Sequence, residues 1–402
     1  MLDYQPALSN GSPETAVEQQ GDTTEFELAR TRADFLDLEE DWNALFATSA
    51  RSIHVFQSFN WLWHWSETYG RNNHDDFVVV TARRNGQLIL VWPMHVSRRL
   101  GVTRLEWLGE PIGQYGDLIV ADISDRDCLI RNAWQHAVAD IKPDAVHLRR
   151  VRSDANVHDF LSRNAAILTE QRQAPYVATQ SANTFPEYSE TRLSNRSRRN
   201  RRRLRRRLHE RGEIRSEILS PSEQAADIAV EAIQLKRAWI KDRGLASPAL
   251  ESSCALAFFR AVCSGGPRPV EASVHALYCD QDLANAQIYF SCKRRSCLHI
   301  IVYALDYEKT RCGLLHCDDA VENAFETDTE ILDFLPPDSD YKRDWASGSV
   351  AVSDFALPLT LKGYAYVHAY VRTARPLAKA LIQKLPWSWC QRLPGANGHE
   401  PE

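Results

Sequence analysis

The sequence lacks any long apolar run, and no window approaches the roughly 20 consecutive apolar residues that a membrane-spanning helix needs. It also lacks the features of a secretory signal. The opening residues, MLDYQPALSNGSPETAVEQQGDTTE, contain neither a basic start nor an apolar core. These absences argue against a membrane-spanning or exported protein, and we expect a cytoplasmic one.

Zinc-site spacing is also missing, although the chain has nine cysteines. Cys292 and Cys297 are separated by four residues, as are Cys312 and Cys317, whereas zinc knuckles commonly use a tighter spacing. We therefore expect reduced thiols and no metal site. The first pair is interpreted as a hairpin that places Cys292 beside Cys297.

What is present is the composition of a globular protein. Hydrophobic residues make up 44% of the 402 residues and charged residues 25%, and this length favours two domains. Composition and pattern predict a disordered leader (1–24), a first domain (25–180), an Arg-rich linker helix (181–212), a second domain (213–352) and a C-terminal extension (353–402).

Charge is distributed very unevenly. The segment Arg196–Arg211 contains ten arginines and one glutamate, a net charge of +9, which leaves −14 on the rest of a chain whose net charge is −5. Ser194 is a plausible N-cap for this helix. Its charge would suit nucleic-acid binding, but no aromatic residue interrupts it. We favour a solvated or partner-facing helix, docked on acidic surface of the same chain or on a phosphate-bearing donor.

Strand and helix patterns alternate, which indicates an α/β or α+β fold with mixed sheets. Asn85-Gly86 is a hairpin turn signal between two apolar strands. In the second domain the pattern predicts helices at 225–242, 250–263 and 313–325, and strands at 274–279, 284–292, 297–305 and 330–335.

The strand after Cys297 leads through Tyr-Glu-Lys-Thr-Arg-Cys into the helix that starts at Gly313. Unpaired amides at a helix start, with Lys309 and Arg311 just before it, would suit an anion such as a pyrophosphate. Farther on, Asp333 ends a strand that two prolines interrupt, and Tyr341 and Lys342 follow. These three residues either form a catalytic group, with Tyr341 protonating a leaving thiolate, or make a structural ion pair and a core contact.

The sequence resembles the CelD-like branch of the GNAT acetyltransferases, which is named for cellulose or exopolysaccharide biosynthesis and is related to the Fem peptidyltransferases. The resemblance spans residues 26–355. The matching segments are Phe56–Leu62, Trp92–Met94, Gly109–Asp117, the Arg-rich helix, Leu235-Lys236 with Trp239, Ala304–Tyr307, Gly313–Leu315, Asp333–Leu335 and Tyr341–Arg343.

This resemblance implies tandem GNAT-like domains and acyl transfer from acetyl-CoA or another acyl-CoA to an amine or hydroxyl of a small-molecule or saccharide acceptor. It implies catalytic roles for Asp333, Tyr341 and Lys342, and substrate binding by Asp306 and Tyr307. The donor would bind at Lys309, Arg311, Cys312, Gly313 and Leu314. Cys312 stands where the family often has Pro, Pro337 where Gly is usual, and the fuller phosphate loop with several glycines is missing.

Several alternatives stay open. The general base could be Asp333, Asp306 or His299. The protein could instead be an aminoacyl-tRNA-dependent peptidyltransferase of the Fem type, or an inert GNAT-fold partner of polysaccharide-biosynthesis proteins. The aromatic tail after Ser353 is expected to pack on the second domain, with at most peripheral membrane contact.

Overall fold

A computed structural model describes residues 23–72, 76–99, 101–164, 166–245, 247–374 and 377. The predicted leader lies outside this part of the chain up to residue 22, as does most of the predicted extension beyond residue 374. None of the described helices is both long and apolar enough to cross a membrane.

Residues 24–178 form the first of two similar units, here called the first repeat. Its elements in chain order are β1 (Thr24–Ala29), α1 (Arg32–Asp37), α2 (Glu39–Ser49), α3 (Phe59–Asn72), β2 (Asp76–Arg84), β3 (Gln87–Arg99), β4 (Val102–Trp107), β5 (Ile119–Val120), α4 (Arg126–Ile141), β6 (Ala145–Arg152), α5 (His158–Arg163) and β7 (Ile167–Ala178).

Two connecting helices, α6 (Phe185–Arg192) and α7 (Asn195–His209), lead to the second repeat, residues 214–358. Its elements are β8 (Ile214–Leu219), α8 (Glu223–Asp242), α9 (Pro248–Glu251), α10 (Ser253–Cys263), β9 (Ala272–Cys279), β10 (Asp282–Cys292), β11 (Arg295–Tyr303), a 3₁₀ segment (Leu305–Thr310), α11 (Cys312–Glu326), β12 (Ile331–Asp333), α12 (Asp340–Trp345) and β13 (Gly348–Pro358).

The two repeats share one topology, which no sequence repeat reveals. In each, a strand leads through helices into three antiparallel strands, and a further helix leads into a strand parallel to the last of the three. The antiparallel strands are β2-β3-β4 and β9-β10-β11, the helices are α4 and α11, and the parallel pairs are β4-β6 and β11-β12.

The final strand of each repeat pairs with the other repeat. β13 lies antiparallel to β6 of the first repeat, and β7 lies antiparallel to β12 of the second. β7 and β13 also pair with each other. The described strands therefore form one continuous mixed sheet with the order β1-β2-β3-β4-β6-β13-β7-β12-β11-β10-β9-β8, and β5 pairs with β3. The mixed α/β fold predicted from the sequence is confirmed.

Hairpin turns follow the expected turn chemistry. Asn85 and Gly86 connect β2 to β3 with φ of 52° and 79°, which confirms the predicted hairpin. Lys293 and Arg294 connect β10 to β11, also with positive φ. This tight turn pairs Cys292 with Arg295 and Cys297 with Phe290, so the expected pairing of Cys292 with Cys297 is wrong by register. The eight cysteines in the described residues form no disulfide.

Helices cover both faces of the second repeat's sheet. The residues of α8 and α10 that face the sheet join the largest apolar cluster, in which the Trp61 ring of α3 packs edge-on against Phe258 of α10 at 4.8 Å. α11 covers the opposite face, where Leu315 and Val321 pack against residues of β10, β11 and α7. The sheet edge at β11 and β12 is therefore reached from both sides.

The segment after β13, residues 361–374, lies in a different place from the one expected for the tail. Tyr366, Val367 and Val371 pack on Val102 and Ala145 of the first repeat, so this described part of the tail docks on the first repeat and not, as the sequence suggested, on the second domain. The pairing of β13 with β6 brings the segment to that place. Leu361 and Tyr364 are exposed there. The rest of the predicted tail, beyond residue 377, lies outside the described residues.

Candidate functional site

β11 and β12 separate after a short parallel ladder. They pair only at Arg295–Cys297 and Ile331–Asp333. The next residue, Phe334, donates its N–H to Pro175 of β7 at 3.0 Å, so the chain follows β7 and leaves β11. Within the described residues, no strand pairs with this edge of β11 from Leu298 onward. The sheet therefore opens between β11 and the segment after β12.

Backbone groups of β11 point into this opening. The N–H of Ala304 donates to the carbonyl of Ala284 of β10 at 3.0 Å. Because every second residue of an antiparallel strand bonds to the same neighbour, Val302 also directs its backbone groups to β10. The N–H and C=O groups of Ile301 and Tyr303 therefore face away from β10. A bulge also lies in β11, because Leu298 and Ile300 pair with consecutive residues of β10 and His299 between them has no opposite residue.

Two lysine amines reach the opening from different helices. Lys236 of α8 donates to the Ile301 carbonyl at 2.9 Å. Lys342 of α12 donates to the carbonyls of Leu335 and Pro337, at 2.9 and 2.8 Å. Burial lowers the pKa of each amine to about 8. At Lys342 the Asp333 carboxylate opposes this lowering of the pKa, whereas the positive charge of Lys236 adds to it. Both amines can therefore exchange a proton near neutral pH.

An aromatic wall stands beside Lys236. The Trp239 ring lies 4.5 Å from the Lys236 amine and 4.2 Å from the Arg243 guanidinium, and Arg243 donates to the Tyr303 hydroxyl at 3.0 Å. The indole N–H of Trp239 is buried and has no hydrogen-bond partner in the described part of the chain. A polar donor in this position is expected to find its partner in a ligand or in water.

The start of α11 lies against the same strand. Arg311 adopts a left-handed conformation (φ 58°) before the helix, and no side chain caps its first amides. A Cβ on Gly313 would lie 3.1 Å from the Tyr303 ring, so glycine allows the helix start to approach β11 closely. Lys309 and Arg311 are exposed, whereas Cys312 is buried with its thiol on the Ala284 carbonyl.

Leu314, the last residue of the predicted donor-binding group, is partly buried against the cluster around Leu204 and Tyr307. The structure thus brings the predicted donor-binding residues together at one end of α11. No group of three or more metal-ligating side chains occurs among the described residues.

Asp333, the last residue of β12 that pairs with β11, is held in a saturated network. One carboxylate oxygen accepts from the Tyr115 hydroxyl and the Leu335 N–H, each at 2.9 Å. The other accepts from Arg295 at 2.7 Å and Arg152 at 3.2 Å. These contacts, in a fully buried side chain, favour a structural role over the predicted catalytic one. Asp333 pairs with the two arginines rather than with Lys342.

Tyr341 packs beside the apolar cluster that includes Cys317 and Tyr289, under the middle of α11. Burial raises its pKa to about 12. The predicted substrate-binding residues lie just before the start of that helix. Asp306 is exposed, and its carbonyl accepts from Arg211 at 2.7 Å. Tyr307 is buried under the Arg211 guanidinium at 4.5 Å.

His299 is held as one tautomer. Its Nε2 lies 2.9 Å from the carbonyl of Ile112, so Nε2 carries the hydrogen and Nδ1 the lone pair. Four aromatic rings (Phe56, Trp61, Phe259 and Phe290) surround the imidazole. Burial lowers its pKa to about 4. His299 therefore stays neutral at neutral pH, and its basicity is too weak for it to take a proton from an ammonium.

The corresponding place in the first repeat is closed by its own loop. β4 and β6 pair over only two residues, but Gly116 then donates its N–H to Arg150, just after Arg149 on β6, at 3.1 Å. The Trp107 ring lies directly against Gly116, and Glu110 forms an ion pair with Arg149 at 2.6 Å. Only the second repeat therefore keeps a candidate site at its parallel strand pair.

Comparison with known proteins identifies this part of the chain. Residues 195–343 match the family model described as the acetyltransferase (GNAT) domain. The chain contains a GNAT acetyltransferase domain. The GNAT domain is that of an acyltransferase, and it includes the opening between β11 and β12, the start of α11 and both lysines. None of the curated proteins is matched by the sequence.

Solved structures extend the likeness beyond the GNAT domain. FemX is 11% identical, with a TM-score of 0.54, over 83% of this chain and 98% of its own. L-PGS from Bacillus licheniformis is 10% identical, with a TM-score of 0.51, over 86% of this chain and 97% of its own. A tandem GNAT protein from the clavulanic acid biosynthesis pathway is 11% identical, with a TM-score of 0.49, over 84% and 98%. At these identities the first two comparisons show a shared fold that includes both repeats.

Sequence reasoning gave Lys236, Trp239 and Tyr303 no role in the site. A signal was present for Lys236, since it continues the buried stripe of α8 formed by Ala229, Ile233 and Ile240. A lysine in an apolar stripe needs a polar partner. The partner, a carbonyl of β11, follows only from the tertiary structure.

Proposed function

We propose that the GNAT domain transfers an acyl group from acetyl-CoA or another acyl-CoA to an amine or hydroxyl acceptor. The observation that carries this proposal is the unpaired edge of β11, where the backbone groups of Ile301 and Tyr303 face the opening next to two proton-exchanging lysines. The donor supplies a thioester, whose carbonyl carbon takes the acceptor's electron pair.

The residues present fit such a donor. Exposed Lys309 and Arg311 would face its phosphates, and the uncapped first turn of α11 offers amide donors to the same anions. The space beside Gly313, which a Cβ would reduce, lies between that turn and Tyr303.

Two groups of this chain would act on the reacting atoms. Backbone N–H groups of Ile301 or Tyr303 donate hydrogen bonds where negative charge develops on the carbonyl oxygen. The Lys342 ammonium gives a proton to the departing sulfur as the carbon–sulfur bond breaks, and the proton lost by the acceptor restores it. With a pKa of about 8, Lys342 is close to the pKa of a thiol, near 8.5, whereas Tyr341 at about 12 is not.

The acceptor class rests on resemblance. The segments of this chain that resemble the CelD-like branch include Asp333–Leu335 and Tyr341–Arg343. They lie on either side of the loop whose carbonyls accept hydrogen bonds from Lys342. We place the activity in polysaccharide or exopolysaccharide biosynthesis in the cytoplasm, with a saccharide amine or hydroxyl as acceptor.

Isothermal titration with acetyl-CoA, CoA and tRNA tests the donor. We expect micromolar binding of acetyl-CoA and CoA, reduced about tenfold or more by Lys309→Gln with Arg311→Gln, and no effect of the matched pair Lys241→Gln with Arg260→Gln, which removes the same charge from exposed positions outside the opening. Saturable binding of tRNA without CoA binding would instead support aminoacyl-tRNA-dependent peptidyl transfer. Binding of neither would support an inert partner protein and overturn the proposal.

A further inference from the structure

The arginines of α7 divide into two faces. On the inner face, Arg201 is buried and bonds Asp318 and Asp344 at 3.0 Å, and Arg205 bonds Asp319 at 2.7 Å. Leu204 and Leu208 are buried between the helix and the second repeat. Part of the positive charge is thus paired within the chain, with acidic residues of α11 and α12, and these pairs hold α7 against the second repeat.

On the outer face, six arginines are exposed and none of them forms an ion pair with a described residue: Arg196, Arg199, Arg202, Arg203, Arg206 and Arg207. At 100° per residue they occupy an arc of about 140°, centred opposite the buried leucines. Within the described residues, the one side-chain hydrogen bond made by these six arginines is from Arg203 to the Asn200 side chain at 2.9 Å. This set is called the outer arginine face.

The density of positive charge on the outer arginine face is of the same order as the density of negative charge on a nucleic acid. Its six guanidiniums lie along about 16 Å of helix, and a nucleic-acid duplex carries about ten phosphate charges over that length. The rest of the chain has a net charge of −14, so any attraction for a polyanion is confined to this ridge. A helix is about 10–12 Å wide, which suits a convex ridge to a groove between phosphate strands.

A membrane surface fits this face less well. Helices that bind lipid surfaces bury apolar side chains among the headgroups. The apolar residues of α7 are already buried in protein, and no apolar side chain lies among the six outer arginines. A lipid surface would therefore be bound through the charges of the outer arginines alone, with no apolar side chain entering it.

We propose that the outer arginine face of α7 is a docking surface for the phosphate backbone of a nucleic acid, read by charge and shape rather than by base sequence. The sequence alone favours a solvated or partner-facing helix; the separation of the arginines into a held face and a free face supplies the reason to assign a polyanionic partner. This surface is distinct from the opening between β11 and β12.

The test uses the full chain and three probes. Binding to a 20-base-pair DNA duplex and to an RNA hairpin of equal charge is measured by fluorescence anisotropy, and binding to phosphatidylcholine–phosphatidylserine vesicles is measured by flotation. We expect binding of at least one nucleic acid, with affinity falling steeply between 50 and 200 mM salt. The triple variant Arg199→Gln, Arg203→Gln, Arg206→Gln should weaken it on the order of 100-fold at 50 mM salt and flatten the salt slope by about 2–3.

A matched triple variant removes the same charge elsewhere: Arg163→Gln, Arg260→Gln and Arg294→Gln, all exposed and away from α7. It should bind like the unaltered protein. Preference for DNA or RNA identifies the source of the phosphates. Absence of binding to both nucleic acids at 50 mM salt, equal losses in the two triple variants, or binding to vesicles alone would each overturn the proposal. Thermal melts of both variants confirm that the fold is intact.

Discussion

The phenol of Tyr115, in the first repeat, donates to the buried carboxylate of Asp333, in the second, over 2.9 Å. Arg152 stacks on the Tyr115 ring at 4.8 Å and, with Arg295, neutralises the same carboxylate. The residue that the sequence offers as a catalytic acid or base is thus the centre of an ionic junction between the two repeats.

Asp333→Asn tests that assignment through stability. It would leave the Arg295 guanidinium without its carboxylate and Arg152 with Asp154 alone, so we expect a loss of about 3–5 kcal/mol in the free energy of unfolding. Tyr115→Phe removes one neutral donor and should cost about 1 kcal/mol. Denaturant melts measure both. An Asp333→Asn protein of normal stability and no turnover would restore the catalytic interpretation.

Lys342 gives the proposed activity a particular pH dependence. Its ammonium is the acid, so the active form is present below a pKa of about 8 and is lost above it. We expect kcat to fall about tenfold per pH unit above pH 8. Lys342→Gln should lower kcat by about 10²–10⁴ and abolish this descending limb. Lys241→Gln, on the exposed side of α8, serves as control, and a limb that persists in Lys342→Gln would remove the residue from this role.

Lys236 should set the position of that limb. Its positive charge lowers the pKa of Lys342, so Lys236→Met is expected to raise that pKa and to shift the descending limb of kcat to higher pH. Titration of the Lys342 amine by NMR in labelled protein checks the same shift without any turnover. An unmoved pKa in both measurements would show that the two amines act independently.

Gly313 is expected to control access of the donor. A Cβ at this position would press on the Tyr303 ring at 3.1 Å, so Gly313→Val should raise KM for the acyl donor several-fold while leaving the acceptor's KM unchanged. Gly266→Val is the control, because a Cβ there meets only the Ser264 hydroxyl at 3.6 Å. Equal KM values in the two variants would speak against a donor beside α11.

Tyr341→Phe separates the two candidate acids. If Tyr341 protonates the sulfur, turnover is lost while CoA affinity is retained. If Lys342 does so, the variant keeps its turnover within a few-fold, because it loses only the hydroxyl and keeps the ring that packs under α11. Single-turnover rates with acetyl-CoA, together with CoA titration, distinguish the two, and unchanged turnover removes Tyr341 from the mechanism.

Local signals in the sequence predicted the local structure well. Asn85-Gly86 gave the first hairpin, Ser194 caps α7 as expected, and the helix that contains Gly313 starts one residue earlier than predicted. Each of these depends on neighbours in the chain. The predicted donor-binding residues also lie within one turn and the following helix start, and their role stays a prediction.

Features that depend on distant partners were not predicted. The part of β13 from Ser353 onward falls in the predicted extension, because its two neighbours, β6 and β7, precede it by more than 150 residues. Asp333 looked catalytic because nothing near it in sequence identifies Arg152 or Tyr115 as partners. The polar partner of Lys236 is a carbonyl whose exposure arises only where β12 leaves β11. The predicted domain boundaries stay a prediction.

The exchange of β7 and β13 makes the two repeats mutually dependent. Either repeat excised alone would leave the parallel strand of its core with a bare edge, whereas a single backbone cut in the connection after β7 would leave both fragments joined by three antiparallel ladders, β6-β13, β7-β12 and β7-β13. Any hinge that opened the molecule between its repeats would first have to unzip those ladders. Substrates must therefore enter by movements of loops and side chains around a frame that stays closed.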